Sequence, residues 1–409
     1  MIFNAGRLKV SLLLILISIL SACTAQPVKT NIQITKVQDQ PSRIPPTQLS
    51  TPTHSLLKEY YLPPYYSSSY SNLIETSKKE SGIIIYSALA SDSWQPVIDA
   101  FNAHFPWIQV KIVELGANEV FERYSADSEA EDRAADLIVS TSPDGWLNFA
   151  NTGQIAPYIS EEDLFVPPWA RLAPGVYTFA SDPMVIVYNK DFLPNPLHSM
   201  ADLAKLIESD PQKLNGKITS YDVAQNSTGL AINWFWTSVN GNSSWHILNL
   251  IGRTKPILQT SASSMVSSVL SGDTPIGYFI SPVAFLPQLD QHPNLGWSFI
   301  TDGQPILMRS IAVTTKSASP NSAKLLVDFL LSQEGQLSLS EGDMTPYRPD
   351  IANVDLFKPV DGIQKHIHFN QVIEAVGLNN LIFITLDPEI IKVEKRDSFT
   401  EEWNRAMGR

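Results

Sequence analysis

Short β-branched runs alternate with helical segments along this chain, and that alternation restricts its fold more than any other feature. Ile83-Ile84-Ile85-Tyr86 has no polar alternation, as expected of a strand covered on both faces. After it, Val97, Phe101 and Phe105 recur at helical spacing, with Pro96 suited to a first turn and Pro106 to a stop. Ile108 to Leu115 alternates like a second strand, and Glu119 to Ser128 reads as a helix. Asp136 to Ser140 is a third strand, leading into a helix through Trp146 and Phe149. This β-α-β-α-β-α order predicts an α/β fold with a parallel sheet covered by helices.

The same order continues. Met184 to Tyr188 reads as a strand, and Ser199 is a candidate cap for a helix running to Glu208. Lys217 to Tyr221 is a strand, followed by Asn226-Ser227-Thr228-Gly229 and a helix from Leu230 to Ser238. Ile276 to Ile280 is another strand; Trp297 to Ile300 and Ile306 to Thr314 are extended. Asn321 to Leu331 is an amphipathic helix that the stretch from Glu334 is expected to continue, and a helix-rich tail closes the chain.

The 409 residues contain one cysteine, so no disulfide can form within the chain and stability must come from the core. Cys23 follows Arg7 and Lys9 and an apolar stretch from Val10 to Leu20, a length that suits an export signal and is short for a membrane span. Leu20-Ser21-Ala22-Cys23 resembles the lipobox of bacterial lipoproteins. That implies a signal peptide over residues 1–22, cleavage before Cys23 and acyl chains on Cys23, which anchor by burying CH2 groups worth about 0.8 kcal/mol each. Residues 24–54 are rich in Pro, Thr, Ser and Gln without a period and read as a flexible tether. Tyr60, Tyr61, Tyr65, Tyr66 and Tyr70 follow in a segment expected to be extended, with its rings on the body; the lipidated tether and extension together span 23–80. The formal charge of −12 becomes about −14 without Arg7 and Lys9, and no basic stripe is present, so nucleic acid is not an expected partner.

The stretches from Ile83 to Val110, Ala135 to Tyr158 and Met184 to Phe192 resemble periplasmic solute-binding proteins of ABC importers, type II, of the ferric-iron-binding group. So do TPIGYFI and VDFLLSQEGQ with MTPYRPDI after it, and the resemblance covers about residues 81–350. It implies a two-lobe fold with hinge strands and a small-molecule solute held between the lobes. Lobe 1 is expected to comprise 81–177 and 305–350 and lobe 2 178–304, with 351–409 a helical tail packing on the lobes. The implied protein is not an enzyme, needs no cofactor and acts as a monomer beside an ABC permease, or a membrane histidine kinase if it serves as a sensor. It would be tethered by lipid at the bacterial envelope, facing the periplasm or the exterior. The sequence offers no G-x-S-x-G elbow, H-E-x-x-H pair or phosphate-cradling GK[ST] loop.

In open α/β sheets ligands bind beyond the carboxyl ends of strands, where helix N-termini favour anions. The candidates here are Ser87 and Ala88, then Ser140, Thr141 and Ser142, then Asn226, Ser227 and Thr228, and Tyr278 before Ser281. Ser181 and Arg309 lie where hinge strands are expected, and a guanidinium there could grip an acidic group bidentately. These hydroxyls and the guanidinium point to a phosphonate, sugar phosphate or carboxylate. Iron-binding members of the group carry a histidine after the first strand and two adjacent tyrosines after the strand that here is IGYFI; SALASD and SPVAFLP have neither, which opposes ferric iron and leaves a ferric-iron-binding receptor as the alternative. His366-x-His368 lacks a third ligand at a recognisable spacing and is expected to sit on a solvated strand, with no metal site.

Overall fold

A computed structural model describes residues 62–130 and 132–409. Cys23, the export segment, the tether, Tyr60 and Tyr61 lie outside the described residues.

The chain enters the body through α1 (Tyr70–Ser77) and β1 (Ile83–Ser87). Then come α2 (Ser91–His104), β2 (Val110–Glu114), α3 (Glu119–Glu129), β3 (Leu137–Ser140) and α4 (Pro143–Asn151). β1 pairs in parallel with both β2 and β3, as the alternation requires. A short β4 (Arg171–Ala173) precedes β5 (Val176–Pro183), every residue of which is buried.

After Pro183 the chain leaves this sheet and starts a second. β6 (Val185–Asn189) leads to α5 (Met200–Ser209), β7 (Ile218–Tyr221), α6 (Ser227–Asn240) and α7 (Asn242–Arg253). β8 (Ile257–Gln259), α8 (Ala262–Ser271), β9 (Ile276–Ile280), α9 (Pro282–Phe285) and β10 (Leu295–Ser298) complete it. The strand order is β10-β6-β9-β7-β8. β11 (Gln304–Val313) then returns to the first sheet, lying antiparallel between β3 and β5, again with every residue buried. α10 (Pro320–Leu331), α11 (Gln333–Glu341), α12 (Phe369–Val376), β12 (Leu381–Ile384) and α13 (Val393–Ala406) follow.

Local chemistry explains most boundaries. The Ser199 hydroxyl accepts the Asp202 N–H at 2.9 Å, the cap its position predicts. Pro96 is not in the first turn: the helix starts five residues earlier at Ser91, and the proline sits inside it. α10 and α11 are separate helices, because Ser332 leaves the helical path and caps α11 by accepting the Gly335 N–H. The C-terminal segment is not only helical, since β12 extends the first sheet in parallel with β11. α13 lies against α7 where Gly252 permits it; a Cβ there would meet the Ala406 carbonyl at 1.9 Å. His368 is not on a solvated strand: it is buried, and its Nδ1 accepts the Asn370 N–H to cap α12 while Nε2 faces the Arg348 carbonyl. His366 Nδ1 meets the Ser340 carbonyl.

The tyrosine-rich segment packs on the first lobe, and Tyr70 begins a helix there instead of continuing an extended run. Tyr65 and Tyr66 donate to the buried carboxylate of Glu162, which also pairs with Arg348 at 2.6 Å. Arg348 lies over the Phe165 ring, and Tyr65 packs at a tilt against the same ring. Breaking a buried pair costs more than an exposed one because it strands the remaining charge. Glu162→Leu is expected to destabilise the chain by about 3 kcal/mol in urea unfolding; a loss below about 1 kcal/mol would show that Asp350, also 2.6 Å from Arg348, carries the pairing alone.

Asp328 is buried nearby and accepts from Ser160 and Tyr158. Burial pushes its carboxyl up to about 6, above the ordinary 3.8. The folded chain therefore keeps this proton where the unfolded chain has lost it. The group's contribution to stability is full below about pH 4 and is lost as pH rises through about 6. Asp328→Asn is expected to flatten the stability profile over that window, measured as urea midpoints against pH.

Candidate functional site

A cavity of about 500 Å3 opens at the mouths of the parallel strands, lined from both sheets and from β11. β1 delivers Ala88 and Leu89 to its wall, and β3 delivers Thr141. β7 supplies Tyr221, while α6 and α8 present Thr228 and Ser263 from their first turns. Arg309 reaches the wall from β11, and Glu341, Gly342 and Asp343 reach it from the end of α11.

The candidate residues divide by what their side chains already bond. Ala88, Thr141, Thr228 and Arg309 face the cavity. Thr141 and Thr228 come from different lobes, and their hydroxyl oxygens stand 3.4 Å apart, so the lobes touch across the cleft. Ser87 instead turns inward, where its hydroxyl accepts the Trp94 indole N–H at 2.9 Å. Ser140 donates to the Ala117 carbonyl, and Ser142 caps α4 by accepting the Gly145 N–H. Asn226 caps α6 through Gly229 and ties its amide to the Thr260 carbonyl. Ser227 opens α6 without lining the cavity. Ser181 lies inside β5, facing the Thr345 carbonyl. Tyr278 sits on β9 with its ring in the core against Phe279, its hydroxyl without a partner among the described residues.

Gly229 makes the α6 approach possible, since a Cβ there would come within 2.4 Å of the Tyr221 Cβ. That contact sets the start of α6 beside the ring of Tyr221, whose phenol is pushed up by burial.

The charges are unevenly placed. Arg309 pairs with Asp182 of β5 at 2.6 Å, both side chains buried, and Ser281 donates to the same carboxylate oxygen at 2.9 Å. Arg309 Nε and the second Asp182 oxygen are buried and have no partner among the described residues. A buried donor left unpaired costs about 1–3 kcal/mol. The other charged side chains on the wall are the carboxylates of Asp92, Glu341 and Asp343, and burial pushes Asp343 up to about 6.

Sequence reasoning missed Tyr221, Ser263, Ser281, Asp182 and the Glu341–Asp343 turn. Tyr221 and Ser281 obey the strand-end rule and could have been found by applying it to every strand. Asp182 and Asp343 carry no local signal, because their role depends on which strands and helices meet.

The family model for bacterial extracellular solute-binding proteins matches residues 87–337. No curated protein sequence matches the chain. Among solved structures, the substrate-binding protein of an ABC transporter from Agrobacterium tumefaciens is similar at a TM-score of 0.69 and 20% identity, over 80% of this chain and 94% of that one. Iron-bound HitA from Pseudomonas aeruginosa gives 0.59 and 16%, over 80% of this chain and 99% of that one. The binding protein AfuA from Actinobacillus pleuropneumoniae, with fructose-6-phosphate bound, gives 0.59 and 15%, over 80% and 98%. With two α/β lobes, a cavity at their strand mouths and a family match over more than half of its length, this chain belongs to the bacterial extracellular solute-binding proteins and has the type II periplasmic binding protein fold.

Proposed function

We propose that this chain is the extracytoplasmic receptor of an ABC importer and captures a small organic solute through an anionic group. Arg309, whose guanidinium is the positive group on the cavity wall, carries this reading. Thr141 and Thr228 add hydroxyls from the two lobes, and the first turns of α6 and α8 add the positive ends of their helix dipoles. The fructose-6-phosphate held by a protein of similar fold is a solute of this class. Tyr221 is the single phenol on the wall among the described residues, which favours an organic anion over bare ferric iron. Acyl chains on Cys23 hold the monomeric receptor near its permease.

A thermal-shift screen of phosphonates, sugar phosphates, carboxylates and ferric citrate tests the ligand class. Stabilisation by an organic anion is expected, and Thr228→Trp should abolish it by filling the cavity while leaving the unliganded midpoint within a few degrees. Stabilisation by iron alone, with a tyrosinate absorption band, would overturn the reading.

Capture requires the lobes to open and close. Arg396 of α13 reaches Asp144 of α4 at 3.3 Å, while α13 itself rests on α7 of the second lobe. This partly exposed pair links the lobes and is worth about 0.2–1 kcal/mol. Arg396→Ala is expected to weaken solute affinity about two- to fivefold through the closed form, read by titration calorimetry; unchanged affinity would remove the pair from the closing equilibrium.

A further inference from the structure

Resting on the receptor function proposed above, a second feature of the cavity narrows the solute further. α11 closes with the Asp343 N–H on the Ser340 carbonyl and the Met344 N–H on the Leu339 carbonyl, both at 3.1 Å. In this pattern the residue after the cap is left-handed and is usually glycine. Here Gly342 occupies the cap, and Asp343 takes the left-handed position with φ 63°. Gly342 has its own reason to be glycine, since a Cβ would stand 2.2 Å from the Ser93 carbonyl of α2. Asp343 has no such local reason. Glycine would hold its torsion with less strain, and asparagine would serve the turn equally well. Strain retained at a cavity wall points to use of the side chain.

The Asp343 carboxylate faces the cavity, half-buried, and no cation or hydrogen-bond donor reaches it among the described residues. Asp92 and Glu341 share the wall and make its potential more negative, while Arg309 is already paired with Asp182. A wall with three carboxylates and one neutralised guanidinium suits a solute that is more than an anion. We propose that Asp343 receives a protonated nitrogen of the solute, so that the ligand is zwitterionic, with its anionic group at Arg309 and its ammonium at Asp343. A charge-assisted bond to a desolvated carboxylate is about twice as strong as a neutral one, which makes Asp343 a specificity-determining residue.

The test titrates the full chain with paired probes, followed by tryptophan fluorescence and thermal shift: 2-aminoethyl phosphate against ethyl phosphate, and 4-aminobutanoate against butanoate. The aminated member of a pair should bind at least about tenfold more tightly. Asp343→Asn and Asp343→Gly should both fold, and both should erase the preference by weakening the aminated probe alone. Asp343→Gly should also raise the unliganded thermal midpoint by relieving the torsion. Equal binding of aminated and plain probes to the native chain, or a preference surviving in Asp343→Asn, would overturn the inference and leave the receptor reading standing. Failure of every probe to bind would overturn both.

Discussion

The antiparallel pairing of β5 with β11 is the constraint from which the site follows. Both strands are buried along their whole length, and each continues into the second lobe, β5 forward through Met184 and β11 backward from Gln304. One pair of strands thus belongs to the first sheet and carries the chain between the lobes. Cross-strand hydrogen bonds fix its register, with a shift between Arg309 and Ser310. Residues near the crossing cannot be solvated by bulk water, so a charge placed there needs a partner. Arg309 on one strand and Asp182 on the other supply that partnership.

The pair is incompletely satisfied, and that is what distinguishes it from a structural ion pair. Glu162 offers a comparison from the same lobe: it receives two phenols and the guanidinium of Arg348, which itself lies over the Phe165 ring. Arg309 keeps one N–H and Asp182 one oxygen without partners among the described residues. Two buried ion pairs in one lobe therefore differ in a way that burial alone does not explain. The satisfied one fastens the tyrosine-rich segment, and the unsatisfied one stands on the cavity wall.

Much of the fold was legible because period and chemistry agree locally. Ile83 to Tyr86, Leu137 to Ser140 and Ile276 to Ile280 are apolar runs followed by hydroxyl residues, and all three are strands entering turns. Ser199 is read correctly as a cap because capping depends on a residue and its next three neighbours, and Asn226, a solute candidate in the sequence, caps α6 by the same local rule. The site was less legible for the same reason. A hydroxyl at a strand end can cap its own helix, as Ser142 does, or face a ligand, as Thr141 is placed to do, and adjacent residues of like chemistry split between these roles. Tyr278 lies within β9, a strand buried on both faces, and its ring packs in the core. β12 escaped notice because a four-residue strand at a sheet edge is decided by its partner more than by its own sequence.

Two of the contacts between the lobes, Thr141–Thr228 and Arg396–Asp144, are weak, and that bears on what a solute must supply. The Thr141–Thr228 approach at 3.4 Å is a marginal hydrogen bond, and Arg396–Asp144 is a partly exposed pair at 3.3 Å. Together they contribute on the order of 1 kcal/mol, a few-fold bias at most. A ligand that bonds Arg309 from β11 while touching Thr228 and Tyr221 from the second lobe adds differential affinity that the open form lacks. Shifting the equilibrium from mostly open to mostly closed requires about 5.5 kcal/mol of such difference. One charge-assisted contact at each end of a small solute, with the hydroxyls between, is of that magnitude. Neither lobe can make those contacts alone, so capture and closure become the same event.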